Sequence, residues 1–186
     1  DFRGELIRAF QAEGFIYHSE VCIWKDPVTA MQRTKALGLL HKSVRENSAM
    51  CRQGIPDYLV TMRAPGESER VTHTREEYPV DQWQKVASPV WMDIDPGDTL
   101  QRESARENDD ERHICPLQLE VIRRGIALWT NRNDVVLSPF MGIGSEGYTA
   151  IQMGRKFIGV ELKESYFKQA ALNLESALES QNDLFS

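Results

Sequence analysis

The chain has 186 residues, 41% of them hydrophobic and 27% charged, and a formal net charge of −6. This length and composition predict a soluble, globular domain with a core of its own, and they exclude a disordered chain. No stretch approaches the ~18 consecutive apolar residues of a membrane span, so no membrane association is expected.

A helix and a strand are predicted at the amino end. Three apolar residues recur at four-residue spacing: Phe2, Leu6 and Phe10. Gly14 stands where the carboxyl-terminal cap of such a helix is expected. The apolar run at 15–24, FIYHSEVCIW, predicts a strand, and Asp26-Pro27 ends it.

A basic segment follows at 28–54. It belongs to the first of three regions of the chain, which covers 1–63. Its first part, 28–50, has a helical pattern with four candidate buried positions: Met31, Leu37, Leu40 and Val44. DYLVTM, at 57–62, predicts a second strand. Five basic residues stand against a single acid and are candidates for contact with a polyanion: Arg33, Lys35, Lys42, Arg45 and Arg52.

The middle of the chain, 64–112, is polar, rich in acidic residues and interrupted by Pro and Gly. We interpret it as an excursion with little regular structure, in which only SPVWMDI at 88–94 is expected to be ordered. An irregular stretch of this length inside a domain is usually functional or mobile.

The last region, 113–186, alternates helices with strands. Pro116 is placed as a first-turn helix residue, followed by an apolar stripe: Leu117, Val121, Ile122, Ile126 and Trp129. VVL at 135–137 predicts a buried strand, then come a glycine loop, a helix to about Met153 and the strand FIGVEL. A final helix carries Tyr166, Phe167, Ala170, Leu174 and Leu178. This alternation predicts an α/β fold with a parallel sheet.

The glycine loop has the spacing G-x-G-x-x-G between a predicted strand and a predicted helix. Gly142 permits a tight turn, Gly144 lets a ligand approach the backbone, and Gly147 lets the helix pack on the sheet. Glu161 ends the next strand, where a carboxylate can accept hydrogen bonds from ribose hydroxyls. The spacing therefore predicts an adenosine-containing cofactor, against the plainer interpretation of a glycine-rich turn beside a surface glutamate.

A nicotinamide dinucleotide fits this pattern less well. SPFM, at 138–141, intervenes between the strand and the first glycine, whereas the dinucleotide fingerprint follows its strand almost directly. Too little chain follows Gly147 for the second half-sheet that nicotinamide binding requires. A compact cofactor with a single nucleoside remains.

The segment LSPFMGIGSEGYTAIQMGRKFIGVELKESYFKQAALNL resembles the cofactor-binding segment of amino-group DNA methyltransferases. These enzymes use S-adenosylmethionine to methylate the exocyclic nitrogen of adenine or cytosine. Their pattern D-P-F-x-G-S-G-T, then G-R-x-F-I-G-I-E, then Y and A, is matched at Pro139, Phe140, Gly142, Gly144, Gly154, Arg155, Phe157, Ile158, Gly159, Glu161, Tyr166 and Ala170. HICPLQLEVIRRGI resembles the helix that precedes this motif in the family's permuted members. LIRAFQAEGFIYHSEVCIWK, near the amino end, resembles their G-F followed by a strand ending in W-x-K, and the segments stand in the family's order.

The resemblance implies a Rossmann-like methyltransferase sheet and assigns site residues. Phe140, Gly142, Gly144 and Ser145 would line S-adenosylmethionine, Glu161 would hold its ribose, and Pro116, Leu117 and Gln118 would close over its methionine end. Ser138 would also line the site, but it replaces the family's Asp, so a charge near the cofactor's ammonium group is lost. Gln118 stands where the family often has Lys. The resemblance implies DNA as the partner of the basic segment, and 64–112 lies where such enzymes keep target-recognition sequence.

The family's catalytic tetrapeptide, of the type D-P-P-Y or N-P-P-Y, is absent from this chain. DPVT at 26–29 and DPGD at 95–98 lack the aromatic residue that stacks the flipped base, and we interpret both as turns. In permuted members the tetrapeptide precedes the segment where this chain begins. We therefore expect a carboxyl-terminal portion of a longer polypeptide with no catalytic residues of its own. The two central strands of the sheet would then be missing, which predicts a need for the upstream part, a second subunit or a homo-oligomer.

Two other function classes remain open from the sequence. The missing tetrapeptide also fits a non-catalytic module that binds the cofactor or DNA and completes or regulates another subunit. A nucleotide-dependent oxidoreductase is the third class, and methylation of RNA or protein is chemically possible. The target sequence, and adenine versus cytosine, cannot be read from these residues.

Cysteine usage points to a reducing compartment. Cys22, Cys51 and Cys115 are an odd number at long spacings without a C-x-x-C pair, which fits the cytoplasm. His113 and Cys115 form one H-x-C pair without a second pair to complete four ligands, so no metal site is predicted. The amino end lacks a signal-peptide pattern, and the absence of an initiating Met leads us to expect that the true start lies upstream.

Overall fold

The computed structural model describes residues 1–34, 40–51, 54–100 and 116–183, with the side chains of 33, 34 and 181–183 left out. The chain falls into two compact units, one formed by 1–69 with 74–93 and the other by 70–73 with 94–186. No helix in the described ranges is both long and apolar enough to cross a membrane.

The first unit holds four α-helices, a short 3-10 helix (Ser48–Met50) and three strands in its described part. Along the chain these are α1 (Phe2–Ala12), β1 (Ile16–Ile23), α2 (Pro27–Thr34), α3 (His41–Asn47), β2 (Asp57–Arg63), α4 (Val80–Val86) and β3 (Val90–Trp91). The strands form one sheet in the order β2-β1-β3. β1 and β2 pair antiparallel, from Ile16 opposite Arg63 to Ile23 opposite Asp57, and β3 adds to β1 in parallel.

The predicted carboxyl-terminal cap of α1 is confirmed. Gly14 has φ +92°, a conformation that favours glycine. Its amide donates to the Gln11 carbonyl, and the Phe15 amide donates to the Phe10 carbonyl, each at 3.0 Å. The Phe10 and Phe15 rings meet edge to face at 5.5 Å. Paired reverse hydrogen bonds with an apolar contact define a Schellman cap, which turns the chain from α1 into β1.

The prediction of one helical run over 28–50 is wrong in detail. α2 is described over Pro27–Thr34, and α3 begins at His41 after Leu40, whose extended backbone interrupts the helix. Leu37 lies outside the described residues. Asp26 accepts hydrogen bonds from the Thr29 amide at 2.7 Å and the Thr29 hydroxyl at 2.8 Å, so it caps the start of α2. Val44 was expected in the core, but it is exposed, and α3 buries no residue at all.

The excursion after β2 contains more structure than its composition suggested. α4 was not predicted, whereas the expected order at 88–94 is confirmed by β3. Trp91 is the anchor, because it is only 1% exposed and its indole N–H donates to the Val86 carbonyl. One buried aromatic residue therefore ties α4 to the sheet within an otherwise polar stretch.

The second unit contains the predicted alternation of helices and strands. Its elements are α5 (Leu119–Trp129), β4 (Val135–Ser138), α6 (Ser145–Gln152), β5 (Lys156–Gly159) and α7 (Glu164–Asp183). β4 and β5 pair in parallel, from Val135 opposite Lys156 to Ser138 opposite Gly159. One face of this pair packs Val136 and Phe157 against a cluster of buried residues on α5 and α6: Leu119, Ile122, Ile126 and Ala150.

The apolar stripe of α5 is confirmed only in its centre. Val121, Ile122 and Ile126 are buried, whereas Leu117 and Trp129 are exposed. The helix begins at Leu119 and not at Pro116, because Gln118 has the extended backbone of an N-cap residue, with ψ 131°. The Leu119 amide, which has no partner within the helix, donates to the Asp98 carbonyl at 2.8 Å. Leu119 therefore enters the core in place of Leu117.

The second face of the β4–β5 pair stays open in the described structure. The prediction that VVL is buried is met only in part, because Val136 is half-buried against the core whereas Val135 and Leu137 point away from it and are 55% and 64% exposed. Ile158 and Val160 are also exposed, at 56% and 50%. Parallel sheets are normally covered on both faces. The absence of central strands from a larger sheet remains a prediction.

Candidate cofactor site

The glycine loop connects β4 to α6 at the carboxyl ends of the two parallel strands. The Val160 amide donates to the Ser138 carbonyl, and the Met141 amide donates to the Val160 carbonyl, each at 2.9 Å. The strand pairing thus continues past β4 and brings the loop beside the chain that follows β5. This edge is the usual ligand position in parallel α/β folds.

Backbone geometry explains each glycine of the motif. Gly142 and Gly144 have φ +56° and +86°, which side chains rarely tolerate. A Cβ atom at Gly144 would lie 2.7 Å from the Leu174 side chain on α7, and one at Gly147 would lie 2.6 Å from the Phe157 ring. The first two glycines therefore shape the loop, and Gly147 allows α6 to pack on β5, as the spacing predicted.

The carboxylate of Glu161 is fixed directly at this loop. Its Oε2 accepts the Gly142 amide at 2.8 Å, and its Oε1 accepts the Lys163 amide at 2.9 Å. Each oxygen has a further lone pair available, and the side chain is half-buried. The carboxylate can therefore accept two hydroxyl hydrogen bonds from a diol without first changing position.

Two apolar side chains stand open at the same strand ends. Phe140 was predicted at the site, and Leu162 was missed by the sequence reasoning. They are 87% and 98% exposed, which is unusual for side chains of this size. The sequence places Leu162 directly after Glu161, at the end of an apolar run. The same position is expected for the last residue of a buried strand, so the pattern did not identify Leu162 as a site residue.

Helix α7 supports the glycine loop. Asn173 donates a side-chain hydrogen bond of 2.8 Å to the Ile143 carbonyl, and Ile143 packs its buried side chain against Tyr166 and Leu100. Neither Asn173 nor Leu100 was identified from the sequence. No local pattern distinguishes them, because their role depends on contacts between segments far apart in the chain.

The segment before α5 supplies the remaining predicted cofactor residues. Pro116 and Gln118 are half-buried, and Leu117 is exposed. Gln118 is the N-cap residue of α5 and makes no capping hydrogen bond with its side chain. Arg123 donates to Asp98 at 3.2 Å and to Glu120 at 3.1 Å, which fixes the first turn of α5 to the segment before it.

Ser138 and Ser145 lie on either side of the loop, and both are buried. Ser138 ends β4, and Ser145 is the first residue of α6, where its carbonyl accepts the Thr149 hydroxyl at 2.9 Å. The half-buried Glu146 follows in the first turn of α6, and burial raises the pKa of its carboxyl above the ordinary value. An acidic group is thus present at the loop although residue 138 is not acidic.

The predicted DNA-facing residues are only partly described. Lys42 and Arg45 lie on exposed positions of α3, and Lys42 forms an ion pair of 3.5 Å with Glu46 one turn later. Arg33 lies in α2 with its side chain not described, and Lys35 and Arg52 are outside the described residues. The structure therefore places Lys42 and Arg45 together on one short helix. The side chains of the other three predicted residues are not described.

Both D-P sequences have local structural roles, as interpreted. Asp26 caps α2, and Asp95 accepts the Gly97 amide at 2.7 Å in a turn.

The predicted H-x-C pair, His113 and Cys115, lies outside the described ranges. Within those ranges no cluster of three His, Cys, Asp or Glu side chains could hold a metal.

A concavity of about 430 Å³ lies among Ile151, Arg155, Leu174 and neighbouring residues, and none of the predicted cofactor residues lines it.

The second unit has the geometry of an α/β cofactor-binding protein, with a glycine loop and a carboxylate at adjacent strand ends. Residues 11–172 match the family model described as DNA methylase, so the chain belongs to this family of N6- and N4-type methylases. The DNA methyltransferase resemblance drawn from the motifs is thereby confirmed.

Individual relatives agree with the family. The type II methyltransferase M.BglI of Bacillus subtilis is 29% identical over 181 residues, which are 96% of this chain and 45% of that protein. The DNA adenine methyltransferase YhdJ of Escherichia coli K12 is 33% identical over 94 residues, 50% of this chain and 30% of that protein. This chain thus spans less than half the length of either relative.

Solved structures confirm the mixed α/β fold. A protein of Thermus thermophilus described as a DNA modification methylase, in complex with S-adenosyl-L-methionine, matches with a TM-score of 0.65 at 21% identity, over 95% of this chain and 60% of that one. The cytosine-N4-specific PvuII DNA methyltransferase matches with a TM-score of 0.53 at 14% identity, over 95% of this chain and 60% of that one. At these identities the likeness concerns the fold.

Proposed function

We propose that this chain is the S-adenosylmethionine-binding portion of a DNA methyltransferase that modifies the exocyclic amino group of adenine or cytosine. The observation that carries the proposal is the Glu161 carboxylate, held 2.8 Å from the Gly142 amide at the edge where parallel α/β folds bind ligands. Family membership and the cofactor present in the Thermus thermophilus protein support the same choice of cofactor.

The proposed site uses the residues that the loop brings together. Glu161 accepts hydrogen bonds from the ribose hydroxyls, and Gly142, where a Cβ would meet nothing within 4 Å, leaves room for the cofactor beside the backbone. Gly144 lines the site through its backbone, because its Cβ position faces α7. Ser138, Phe140 and Ser145 line the site from the same loop. The segment before α5, with Pro116, Leu117 and Gln118, closes over the methionine end.

Replacing Glu161 tests this site. Glu161→Ala removes two acceptors for the ribose, and hydrogen bonds to a charged group contribute about 1.5–3 kcal/mol each. We expect titration calorimetry on the full-length protein to show weaker binding by at least that amount. Glu164→Ala is the control, because Glu164 is an exposed neighbour in the first turn of α7. Equal affinities for Glu161→Ala and the control would disprove the assignment.

DNA is the proposed substrate, contacted by the basic segment 28–54. Lys42 and Arg45 are its described cations, and both are exposed to solvent. Each phosphate contact contributes about 0.9 to the slope of log affinity against log salt concentration. Replacing both with Ala should lower that slope by nearly two, whereas Lys168→Ala on α7 should leave it unchanged. The same slope in the double variant would place the DNA elsewhere.

The chain alone is proposed to transfer no methyl group. A base amino group is a poor nucleophile, so it must be aligned with the cofactor's methyl, and such positioning supplies about 7–11 kcal/mol of the barrier. Neither Asp26 nor Asp95 has a stacking residue beside it in sequence, and both serve local turns. The tetrapeptide would come from an upstream part of the polypeptide or from a second subunit.

The open face of the β4–β5 pair supports a missing partner. Apolar residues on both faces are typical of a central parallel sheet, and the relatives contain far more chain than this one. Purified alone, the chain should fail to label DNA from tritiated S-adenosylmethionine, and the upstream segment should restore labelling. Turnover by the isolated chain would show that the catalytic groups are within it. The upstream segment can be compared with a subunit of another methyltransferase. If that subunit restores labelling and the upstream segment does not, the result favours a non-catalytic module that completes the other enzyme.

A further inference from the structure

Glu146 is a carboxylate that the loop itself does not require. It lies in the first turn of α6, directly after the glycine loop, and its side chain is half-buried. Burial raises the pKa of its carboxyl, and within the described residues the carboxylate has no observed ion pair or hydrogen bond apart from its own backbone amide. A half-buried acid without a cation costs stability, and such groups are concentrated at functional sites.

Helix geometry locates this carboxylate. Glu146 is four residues before Ala150 and therefore shares its face of α6. Ala150 packs against Leu119 and Ile122 in the first turn of α5. Glu146 therefore lies one turn nearer the glycine loop on the side of α6 that faces α5, where the segment 116–118 enters the helix.

The ligand chemistry follows from the charge and the place. S-adenosylmethionine carries an ammonium group on its amino-acid end and a sulfonium at its centre. With Glu161 as the ribose acceptor beside Gly142, an amino-acid end that extends along the loop to the start of α6 would reach Glu146. Resting on the proposed cofactor site, we propose that Glu146 accepts the ammonium group of the cofactor and thereby supplies the charge that Ser138 does not.

Two ligands of different length separate this role from a structural one. Methylthioadenosine retains the adenosine and the sulfur of the cofactor but lacks the amino-acid end, so it cannot reach Glu146 with an ammonium group. Glu146→Gln keeps the side-chain shape and removes the charge. Glu164→Gln is the matched control, since Glu164 is likewise a first-turn glutamate of its helix but pairs with Lys168 on the surface.

Titration calorimetry on the full-length protein gives the decision. We expect Glu146→Gln to weaken S-adenosylmethionine binding by roughly tenfold or more and to leave methylthioadenosine unchanged. Unchanged affinity for both ligands, or equal loss for both, would overturn the role of Glu146 while the cofactor site stands. A native protein that binds neither ligand would overturn the proposed function together with this inference.

Discussion

Helices α1 and α5 were predicted by the same pattern and ended in different environments. Both carry apolar residues at three- and four-residue spacing. Ile126 of α5 is 6% exposed, whereas Phe2 and Phe10 of α1 are 76% and 47% exposed. Periodicity identifies the apolar side of a helix, but it does not show whether another element covers that side.

The difference arises from what each helix meets. α5 packs its stripe against α6 and the β4–β5 pair. α1 instead approaches its sheet through Arg3, whose guanidinium lies 4.1 Å from the Tyr58 ring and bonds Glu20 at 3.0 Å. The side of α1 with Arg3 and Ile7 therefore faces the sheet, and both residues are half-buried. Phe2 and Leu6 are left exposed in the described structure.

The largest expected effect comes from truncating one residue in each stripe. Ile126→Ala should destabilise the second unit by about 2–5 kcal/mol, because it removes buried methyl groups and leaves a cavity. Leu6→Ala on α1 should cost far less, because Leu6 is largely exposed. Chemical denaturation of both variants measures the contrast. Equal losses would show that α1 is covered in solution by something that hides its stripe.

A smaller effect is expected at a glycine in each unit. Gly147→Ala would force its Cβ to 2.6 Å from the Phe157 ring, and such overpacking costs about 1–3 kcal/mol. Gly4→Ala in α1 would gain helix propensity, up to about 1 kcal/mol, but its Cβ would lie 2.8 Å from the Asp1 carboxylate that caps the helix through the Gly4 amide. The unfolding midpoint should therefore fall for Gly147→Ala and change little for Gly4→Ala. A comparable loss at both positions would mean that Gly4 is as tightly confined as Gly147.

The smallest effect concerns acids in the first turns of two helices. The pKa of Glu146 is raised by burial, whereas a hydrogen bond and the charge of Lys168 lower the pKa of the exposed Glu164. The folded chain therefore binds the Glu146 proton more tightly than the unfolded chain, and this acid reduces stability as pH rises above about 4.5. Without cofactor, Glu146→Gln should raise the melting temperature at pH 7 and have little effect below pH 4.

Glu164→Gln should show the opposite trend with pH. Its lowered pKa contributes stability that is present at neutral pH and lost in acid, so the substitution should be slightly destabilising at pH 7. Melting curves of the two Gln variants across pH 3–8, an approximate range around the glutamate pKa, provide the measurement. Parallel curves would show that Glu146 is as solvated as Glu164.

Much of the glycine loop was predictable, because its geometry is local. The tight turn at Gly142, the close approach of Gly147 and the nearby Glu161 follow from spacing along consecutive elements. Asn173 and Leu100 could not be foreseen, since they reach the loop from remote positions. The start of α5 was misplaced because Gln118 is extended, and the Leu119 amide is satisfied by the remote Asp98 carbonyl, which no local pattern indicates.

The uncovered face of the β4–β5 pair has a consequence for the chain in a cell. Apolar strands without a cover are the surfaces on which unfolded and incomplete chains aggregate and by which chaperones and proteases select them. A chain that carries Leu137 and Ile158 outward should therefore persist only in proportion to whatever covers them.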